Sequence, residues 1–223
     1  MIHTELHGII VPLITPIDKN EQVDEKALRK LVRFLIDAGV HGFMAGGSSS
    51  EAPMLPMNQW ARMMEIVFDE TKGAVSLIGG VMDTSTQRIV EKIKKLTQIG
   101  YAHFAVAPSY YITLKTKDEF LRLYGRCKEV IGDNEMIVYN MPAYVGSSIS
   151  VETICDMARW GWTRYCKESS GDFAYFKDLV MQGRSVNLKV FLGTEAFVPE
   201  GLLCGAVGVV PIIANSGCLA AIF

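Results

Sequence analysis

Short apolar segments rich in β-branched residues recur along the chain and alternate with longer segments of helical periodicity. Apolar runs of this length are typical of strands buried on both faces, and the alternation is typical of βα units around a parallel sheet. The predicted strands are His7 to Thr15, Gly42 to Ser48, Val75 to Val81, His103 to Ala107, Met136 to Met141, Thr163 to Lys167, Lys189 to Gly193 and Ala206 to Val210.

The segments between the strands carry apolar residues at spacings of three and four, which indicates amphipathic helices. A glycine follows each of several such segments, where a left-handed residue ends a helix. The predicted helix-ending glycines are Gly39, Gly73, Gly100, Gly132 and Gly183.

Eight βα units predict a (β/α)8 TIM barrel, formed as a single catalytic domain over residues 1–223. A doubly wound open sheet is the alternative, but its first strand is usually followed by a glycine-rich phosphate turn, and here that turn reads Thr15-Pro16-Ile17-Asp18. Only Gly217 to Phe223 remain for the helix after the eighth strand. We therefore expect a truncated barrel, or a partner that covers its exposed apolar face.

Composition supports a globular α/β protein, because 49% of the 223 residues are hydrophobic and 21% are charged. The net charge of -2 provides no broad basic surface, so neither a nucleic acid nor a membrane is an expected partner. The first residues lack the pattern of a signal peptide, which makes the cytoplasm the expected location. Five irregularly spaced cysteines predict reduced thiols: Cys127, Cys155, Cys166, Cys204 and Cys218.

Lys167 is the first candidate for catalysis because it ends a predicted strand, and the carboxyl ends of barrel strands face the active-site mouth. An ammonium held there among apolar neighbours tends to lose its proton and become a nucleophile. The alternative is a surface lysine paired with Glu168.

Tyr139 ends the strand before that of Lys167, so the two side chains are expected at equivalent ends of adjacent parallel strands. A phenol there could pass protons, or it could simply pack as an aromatic ring. Tyr110 and Tyr111 follow the fourth strand and could extend such a relay or cover the barrel top.

The loop Gly46-Gly47-Ser48-Ser49-Ser50-Glu51 follows the second strand. Glycines allow close approach of a ligand, and hydroxyls and amides donate to an anion, so the loop could bind a carboxylate. A turn in which Ser48 and Glu51 form a capping box is the alternative. The histidines show no metal-ligand spacing, and neither a serine-hydrolase elbow nor a Walker loop occurs, so no metal is expected.

Five segments together carry a specific combination of motifs: Gly8 to Pro16, Gly47 to Glu51, Tyr139 to Gly146, Lys167 to Asp172 and Gly205 to Val210. In this combination the chain resembles the dihydrodipicolinate synthase / N-acetylneuraminate lyase family of Schiff-base barrels. The likeness extends over essentially the whole chain. It also implies further C-terminal helices, which this sequence lacks.

The resemblance implies that Lys167 forms a Schiff base with a 2-oxo acid, typically pyruvate, and that Tyr139 carries protons. It places the 2-oxo acid carboxylate on Ser48, Ser49 and nearby amides such as that of Gly47. A tyrosine matching Tyr110 joins the relay in family members, often in the neighbouring subunit's site, which implies a homodimer or homotetramer. The lysine is itself the electron sink, so no cofactor is expected.

The resemblance places further substrate-binding positions at Tyr144, Gly193, Glu195 and Val210, and in this part the sequence departs from the family pattern. Tyr144 occupies the segment in which the synthases carry an arginine for a second carboxylate, and a phenol provides no charged fork. Of the acidic pair that holds sugar hydroxyls in the sialic acid lyases, only Glu195 is present, because Ala196 follows it. Pro211 and Ile212 are apolar as well, which predicts an aldehyde less hydroxylated than that of sialic acid. Ser50 replaces a frequent glycine and could tighten the serine loop.

These observations predict a lyase or aldolase that makes or cleaves a carbon–carbon bond of a 2-oxo acid, with pyruvate and an aldehyde as small-molecule partners. Three alternatives remain: dihydrodipicolinate synthase proper, a 2-oxo-3-deoxy sugar acid dehydratase or deaminase that uses the same lysine, and a non-catalytic barrel that binds a 2-oxo acid.

Overall fold

The computed structural model describes residues 5–217, which form a closed barrel of eight parallel strands in sequential order. Each strand pairs with the next, and the first pairs with the last, so the prediction of a (β/α)8 barrel is confirmed. The strands are β1 Gly8–Pro12, β2 Gly42–Ala45, β3 Ser76–Val81, β4 His103–Val106, β5 Glu135–Asn140, β6 Tyr165–Glu168, β7 Lys189–Leu192 and β8 Gly208–Val209.

Helices follow the strands and surround the barrel, and several begin at a side chain that accepts from the first-turn backbone. Thr116 and Glu119 form a complete capping box at one of these starts. The α-helices are α1 Glu25–Asp37, α2 Met57–Thr71, α3 Thr86–Ile99, α4 Lys117–Ile131, α5 Pro142–Val145, α6 Val151–Arg159, α7 Phe173–Gly183 and α8 Val198–Cys204, and short 3-10 turns cover Arg184–Val186 and Ile212–Ser216.

Most predicted strands are longer than the observed ones, and the largest differences are in β1, β2 and β8, where β8 covers only Gly208–Val209 of the predicted Ala206 to Val210. Strand β1 ends at Pro12 rather than Thr15, and β2 ends at Ala45 rather than Ser48. The chain leaves the sheet after β2 because Gly46 adopts a positive φ of 77°, which turns the serine loop across the barrel mouth.

Gly183 was predicted to end its helix in a left-handed conformation, and this prediction is wrong. Its φ is -59°, so the helix continues into the 3-10 turn, and Asn187 provides the left-handed residue with φ 57°. The glycine has a packing role instead, because a Cβ on Gly183 would make a tight contact of 3.2 Å with the Cβ of Leu188.

Alternate strand residues divide the core into two layers, as expected when each strand is buried on both faces. One layer lies between the barrel and its helices and includes Trp60, Phe43 and Phe104. The other fills the lumen and includes Ile10, Phe191, Met44, Met82, Tyr139 and Val210. The lumen is therefore a packed core whose upper end carries the polar side chains.

The four described cysteines are free thiols, as predicted. Cys218 and residues 218–223, which include most of the segment expected to follow the eighth strand, lie outside the described residues. Within residues 5–217, no helix is long and apolar enough to cross a membrane, and no cluster of metal-ligating side chains occurs.

Candidate active site

Lys167 and Tyr139 face each other across the β5–β6 pair, where they are register partners. The Lys167 side chain points into the lumen and the residue is only 5% exposed. Its Nζ lies 4.2 Å from the centroid of the Tyr139 ring and 3.6 Å from the Met44 sulfur, a weak acceptor. The amine therefore lies between an aromatic face and a thioether.

Glu168 lies on the opposite face of β6, since successive side chains of a strand alternate. Its Oε1 accepts from the Asn140 amide at 3.2 Å and from the Ser170 backbone N–H at 2.7 Å. Burial raises the pKa of this carboxyl group above its ordinary value. The alternative of a surface lysine paired with Glu168 is therefore wrong: the carboxyl group holds the backbone behind the site.

The Tyr139 hydroxyl lies 3.2 Å from the Ser48 Oγ, so strand β5 and the serine loop are joined at the cavity. Burial alone would raise the pKa of this phenol, but the positive charge of Lys167 and the hydrogen bond to Ser48 outweigh burial and lower it. A phenol with a lowered pKa exchanges its proton more readily at neutral pH than an ordinary tyrosine.

The serine loop is anchored by Ser50, which is fully buried. Its Oγ donates to the Leu13 carbonyl at 2.6 Å and accepts from the Gly46 N–H at 3.0 Å. Ser48 and Ser49 remain at the cavity surface. The capping-box alternative is wrong, because the Ser48 hydroxyl contacts Tyr139 while Glu51 donates only its backbone N–H to the Ser48 carbonyl, at 2.9 Å.

Lys167 opens into a cavity of about 250 Å³ at the barrel mouth, and most predicted site residues line it. At its wall, a Cβ on Gly193 would lie 1.8 Å from the Ser169 Oγ, so glycine is the residue that fits there. That Oγ is buried and has no hydrogen-bond partner among the described residues. The predicted residues lining this cavity are Ser48, Ser49, Tyr139, Tyr144, Lys167, Gly193, Glu195 and Val210.

Two predicted site residues lie outside this cavity. Gly47 lies in the loop beneath it, where a Cβ would meet the Met44 methyl group at 3.2 Å. Tyr110 lines a neighbouring cavity of about 370 Å³, which shares Ser48 and Tyr144 with the lysine cavity. Burial and the charge of Asp83 raise the pKa of Tyr110. A larger cavity of about 730 Å³ lies at the opposite end of the barrel, among residues that precede β1, β2 and β3.

The sequence matches the Dihydrodipicolinate synthetase family over residues 5–220. The chain belongs to this family. Its members are lyases and aldolases that react through a Schiff base with pyruvate, so the prediction that the chain is an enzyme of this class is confirmed.

Relatives within the dihydrodipicolinate synthetase family include the N-acetylneuraminate lyase of Shigella boydii serotype 4, which is 30% identical over 206 residues, corresponding to 92% of this chain and 68% of that protein. The solved structure of CdNal from Clostridium difficile, in complex with mannosamine, superposes with a TM-score of 0.89 at 26% identity and covers 97% of this chain and 74% of that one. A Pseudomonas aeruginosa protein described as a dihydrodipicolinate synthetase superposes with a TM-score of 0.91 at 27% identity, with the same coverage of both chains.

Three features of this dihydrodipicolinate synthetase family member escaped sequence reasoning. Met44 beside the amine could have been found from its alternation with Gly42, which places it on the lumen face of β2. Met82 at the end of β3 carries the same signal. No local signal predicts that Asp83 forms a buried ion pair with Lys92, at 2.9 Å, on the following helix.

The Asp83 pair supports the loop that carries Tyr110. The Tyr110 N–H donates to the Asp83 carbonyl at 3.4 Å, while the Lys92 ammonium also donates to the Met82 carbonyl at 2.9 Å. Arg88 completes the arrangement from the surface, with its Nε 2.6 Å from the carboxylate. The ends of β3 and β4 are thus fixed relative to each other beside the second cavity.

Proposed function

We propose that Lys167 forms a Schiff base with a 2-oxo acid, pyruvate in the simplest case, and that the protein makes or cleaves a carbon–carbon bond next to the resulting iminium. The observation that carries this proposal is the amine itself, buried in the lumen with its Nζ 4.2 Å from the Tyr139 ring centroid. The nitrogen contacts the Tyr139 ring and the Met44 sulfur and lines the cavity, so a ketone bound in the cavity lies next to the nucleophile.

The reaction begins when the unprotonated Lys167 nitrogen attacks the ketone carbon of the 2-oxo acid. The ketone oxygen takes up protons and leaves as water, and a C=N iminium remains. Loss of a proton from the adjacent carbon gives an enamine, which attacks the aldehyde carbonyl carbon while the aldehyde oxygen gains a proton. Water then hydrolyses the iminium and releases Lys167. Cleavage follows the same steps in reverse order.

Tyr139 is the proposed proton carrier, since its phenol has a lowered pKa and lies beside the amine. Ser48, 3.2 Å from that hydroxyl, lines both the lysine cavity and the Tyr110 cavity. This shared position supports a proton path from Tyr139 through Ser48 toward Tyr110.

The carboxylate of the 2-oxo acid is assigned to Ser48 and Ser49 in this proposal. Both line the cavity, and Ser50 and Leu13 hold the loop backbone in place from beneath. A carboxylate held there has its ketone directed at Lys167, so binding energy contributes orientation.

A dimer or dimer-based tetramer belongs to the same proposal. Tyr111, next to Tyr110, is 87% exposed and adopts a φ of 76°, an uncommon conformation for a residue other than glycine. An exposed aromatic ring on a constrained backbone at the barrel mouth is a suitable contact for a second copy. Light scattering of the wild type and of Tyr111→Ala tests this assignment, and a monomeric wild-type protein would contradict it.

The decisive experiment is reduction with borohydride in the presence of pyruvate, followed by peptide mass analysis. We expect one reduced pyruvate unit on the peptide that contains Lys167. Lys92 is the matched internal control, because it is the other buried lysine among the described residues and is paired with Asp83. An unmodified Lys167, or equal labelling of Lys92, would contradict the proposal.

Turnover assays separate the remaining alternatives. Lys167→Ala should abolish product formation in an enzyme, whereas a barrel that only binds a 2-oxo acid has no turnover to lose. Product analysis distinguishes an aldolase, which yields pyruvate and an aldehyde, from a dehydratase or deaminase, which yields a longer oxo acid. Synthase activity toward a carboxylated amino aldehyde is disfavoured by Tyr144, which offers that substrate no cation.

A further inference from the structure

Strands β5 and β6 carry a second pair of facing side chains, one residue beyond Tyr139 and Lys167. Asn140 and Glu168 are register partners, and both are buried, with exposures of 0% and 1%. Because successive side chains of a strand point to opposite faces, this pair lies on the outer face of the barrel wall, behind the amine and the phenol. The Asn140 Nδ2 donates to the Glu168 Oε1 at 3.2 Å, which joins the two strands next to the reacting groups.

The same two residues hold the wall of the lysine cavity. The Ser170 N–H donates to the Glu168 Oε1 at 2.7 Å. Their backbone carbonyls accept as well: that of Asn140 from the Ser169 N–H at 2.8 Å, and that of Glu168 from the Gly193 N–H at 2.7 Å. Ser169, Ser170 and Gly193 all line the cavity into which the amine opens. The pair therefore fixes the end of β6 and the segment that follows it.

On its other side the pair is anchored to the surrounding helices. The Ile149 N–H, just before α6, donates to the Asn140 Oδ1 at 3.1 Å. The Tyr175 hydroxyl on α7 donates in turn to the Ile149 carbonyl. The Asn140 amide thus uses its oxygen and its nitrogen in opposite directions, so a rotation of this side chain would break a hydrogen bond on each side.

Glu168 acts in this arrangement as a hydrogen-bond acceptor and not as a counter-ion. Among the described residues none forms an ion pair with it, and burial raises the pKa of its carboxyl group, with a further contribution from the charge of Asp172. Its Oε1 accepts from both Asn140 and Ser170. An amide oxygen could accept the same two bonds, so the geometry requires an acceptor at this point but no charge.

We infer that Glu168, together with Asn140, is a positioning residue of the Schiff-base reaction, which fixes the end of β6 so that the Lys167 nitrogen meets the ketone carbon in attacking geometry. The inference rests on the proposed function and adds a residue on the outer face of the wall, away from the reacting atoms. A displacement of about 1 Å can cost about 10²-fold in rate. Without the acceptor, the donors of Ser170 and Asn140 stay unpaired unless the strand end moves, because a buried donor without a partner is unfavourable.

The test measures exchange of the pyruvate methyl hydrogens for deuterium in D2O, followed by NMR. This reaction needs no aldehyde: the iminium on Lys167 loses a methyl proton to give the enamine, which takes up a deuteron. We expect Glu168→Met to lower kcat for exchange about 10²-fold and to change KM for pyruvate less than about threefold, since the serine loop is untouched. Glu168→Gln keeps the acceptor oxygen and should retain at least about half of the wild-type kcat.

Glu135→Met is the matched control. Glu135 is a buried glutamate that joins the same two strands at the opposite end of the barrel, where it accepts from the Arg164 N–H at 3.1 Å and from the Arg164 Nε at 2.7 Å. Its replacement should destabilise the fold in urea unfolding, because a buried polar contact is lost, and should leave kcat within about twofold of the wild type. The control therefore separates a loss of stability from a loss of positioning.

Asn140→Leu removes the other half of the pair and takes the place of Glu168→Met should that variant fail to fold. It should lower kcat by a similar factor, and the double variant should be little worse than either single one, because residues that act as a unit are not additive. Borohydride trapping of pyruvate is measured on every protein. No trapping in the wild type would contradict the proposed function itself. With trapping intact, wild-type exchange in Glu168→Met or Asn140→Leu, or an equal loss in Glu168→Gln or Glu135→Met, would overturn this inference alone.

Discussion

Tyr139 and Lys167 are partners in the register of two adjacent strands, and the lysine Nζ lies 4.2 Å from the centroid of the tyrosine ring. Parallel pairing alone produces this relationship, because both residues occupy the same level of the barrel. The ring shields the amine from water, while the amine alters the acidity of the phenol. The lysine therefore influences the acidity of the phenol, and the phenol ring forms one side of the lysine environment.

Removing only the phenolic oxygen tests its role in proton transfer. Tyr139→Phe keeps the ring over the amine, so we expect pyruvate trapping at Lys167 to persist at a reduced rate. Turnover should fall by about 10²-fold to 10⁴-fold, the usual contribution of general acid–base catalysis. Ser48→Ala removes one partner of the hydroxyl and should cost less. A Tyr139→Phe enzyme with nearly wild-type kcat would rule out the relay.

Replacing the lysine tests the electrostatic coupling. In Lys167→Met the positive charge is lost while burial remains, so the pKa of Tyr139 should rise. Ultraviolet absorbance of tyrosinate measures this change. Tyr101 is an internal reference, because burial raises the pKa of its phenol and its hydroxyl bonds the Met64 carbonyl. An unchanged titration curve would show that the two side chains do not interact.

The same pKa predicts the alkaline limit of activity. A phenol that donates a proton must be protonated, and its protonated fraction falls as pH rises through its pKa. Because the pKa of Tyr139 is lowered, kcat should decline at a pH below about 10. A pH–rate profile of the wild type measures this alkaline decline in kcat. The decline should be absent from the residual activity of Tyr139→Phe.

Tyr144 controls the charge preference of the cavity mouth. It is 72% exposed and lines both cavities, so Tyr144→Arg adds a cation without disturbing the core. We expect kcat/KM for succinic semialdehyde to rise by at least about tenfold, since an arginine fork pairs with a carboxylate. Tyr144→Phe is the control and should produce no such gain. Equal responses of the two variants would exclude an effect of charge.

The buried pair of Asp83 and Lys92 makes a prediction about stability. Asp83→Asn leaves the ammonium buried without its counter-charge and should lower the free energy of unfolding by about 3–5 kcal/mol. Arg88→Gln removes the exposed partner of the same carboxylate and should cost less than about 1 kcal/mol. Urea unfolding at neutral pH measures both values. Similar losses in the two variants would show that the buried pair stabilises the fold no more than the exposed pair does.

Acid should weaken the same pair. Burial alone would raise the pKa of Asp83, but hydrogen bonds from Lys92, Thr84 and Arg88 lower it below the value in the unfolded chain. The stabilisation is therefore complete above the unfolded pKa of about 3.9 and is lost as pH falls through the lower folded pKa. Asp83→Asn should show a smaller loss of stability over that range than the wild type.

Alternation of apolar runs and helical segments was sufficient to predict the barrel and to bring Tyr139 and Lys167 to one level, because strand order and register follow from βα repetition. The ends of the strands were harder to predict from the sequence, because the turn at Gly46 depends on what the serine loop contacts across the barrel mouth. Gly183 was misassigned because its small size serves packing against Leu188, a contact that no local pattern encodes.

The candidate site also contains residues that could be predicted from the sequence and residues that could not. Residues at strand ends were predictable because barrel geometry places them at the mouth. The Asp83 and Lys92 pair and the cavity beside Tyr110 depend on contacts between side chains from different βα units, and their partners are fixed only when the units pack together.

Gly193 has no side chain, and this limits where substitutions could produce new activities in this barrel. A larger residue there would meet the Ser169 hydroxyl and the Glu168 backbone carbonyl, so this part of the cavity wall tolerates little change. Directed evolution toward other aldehydes should accumulate its changes at the outer rim, around Tyr144, and libraries at position 193 should return mostly inactive clones. We therefore expect the residues around Lys167 to stay constant and the residues at the cavity entrance to vary.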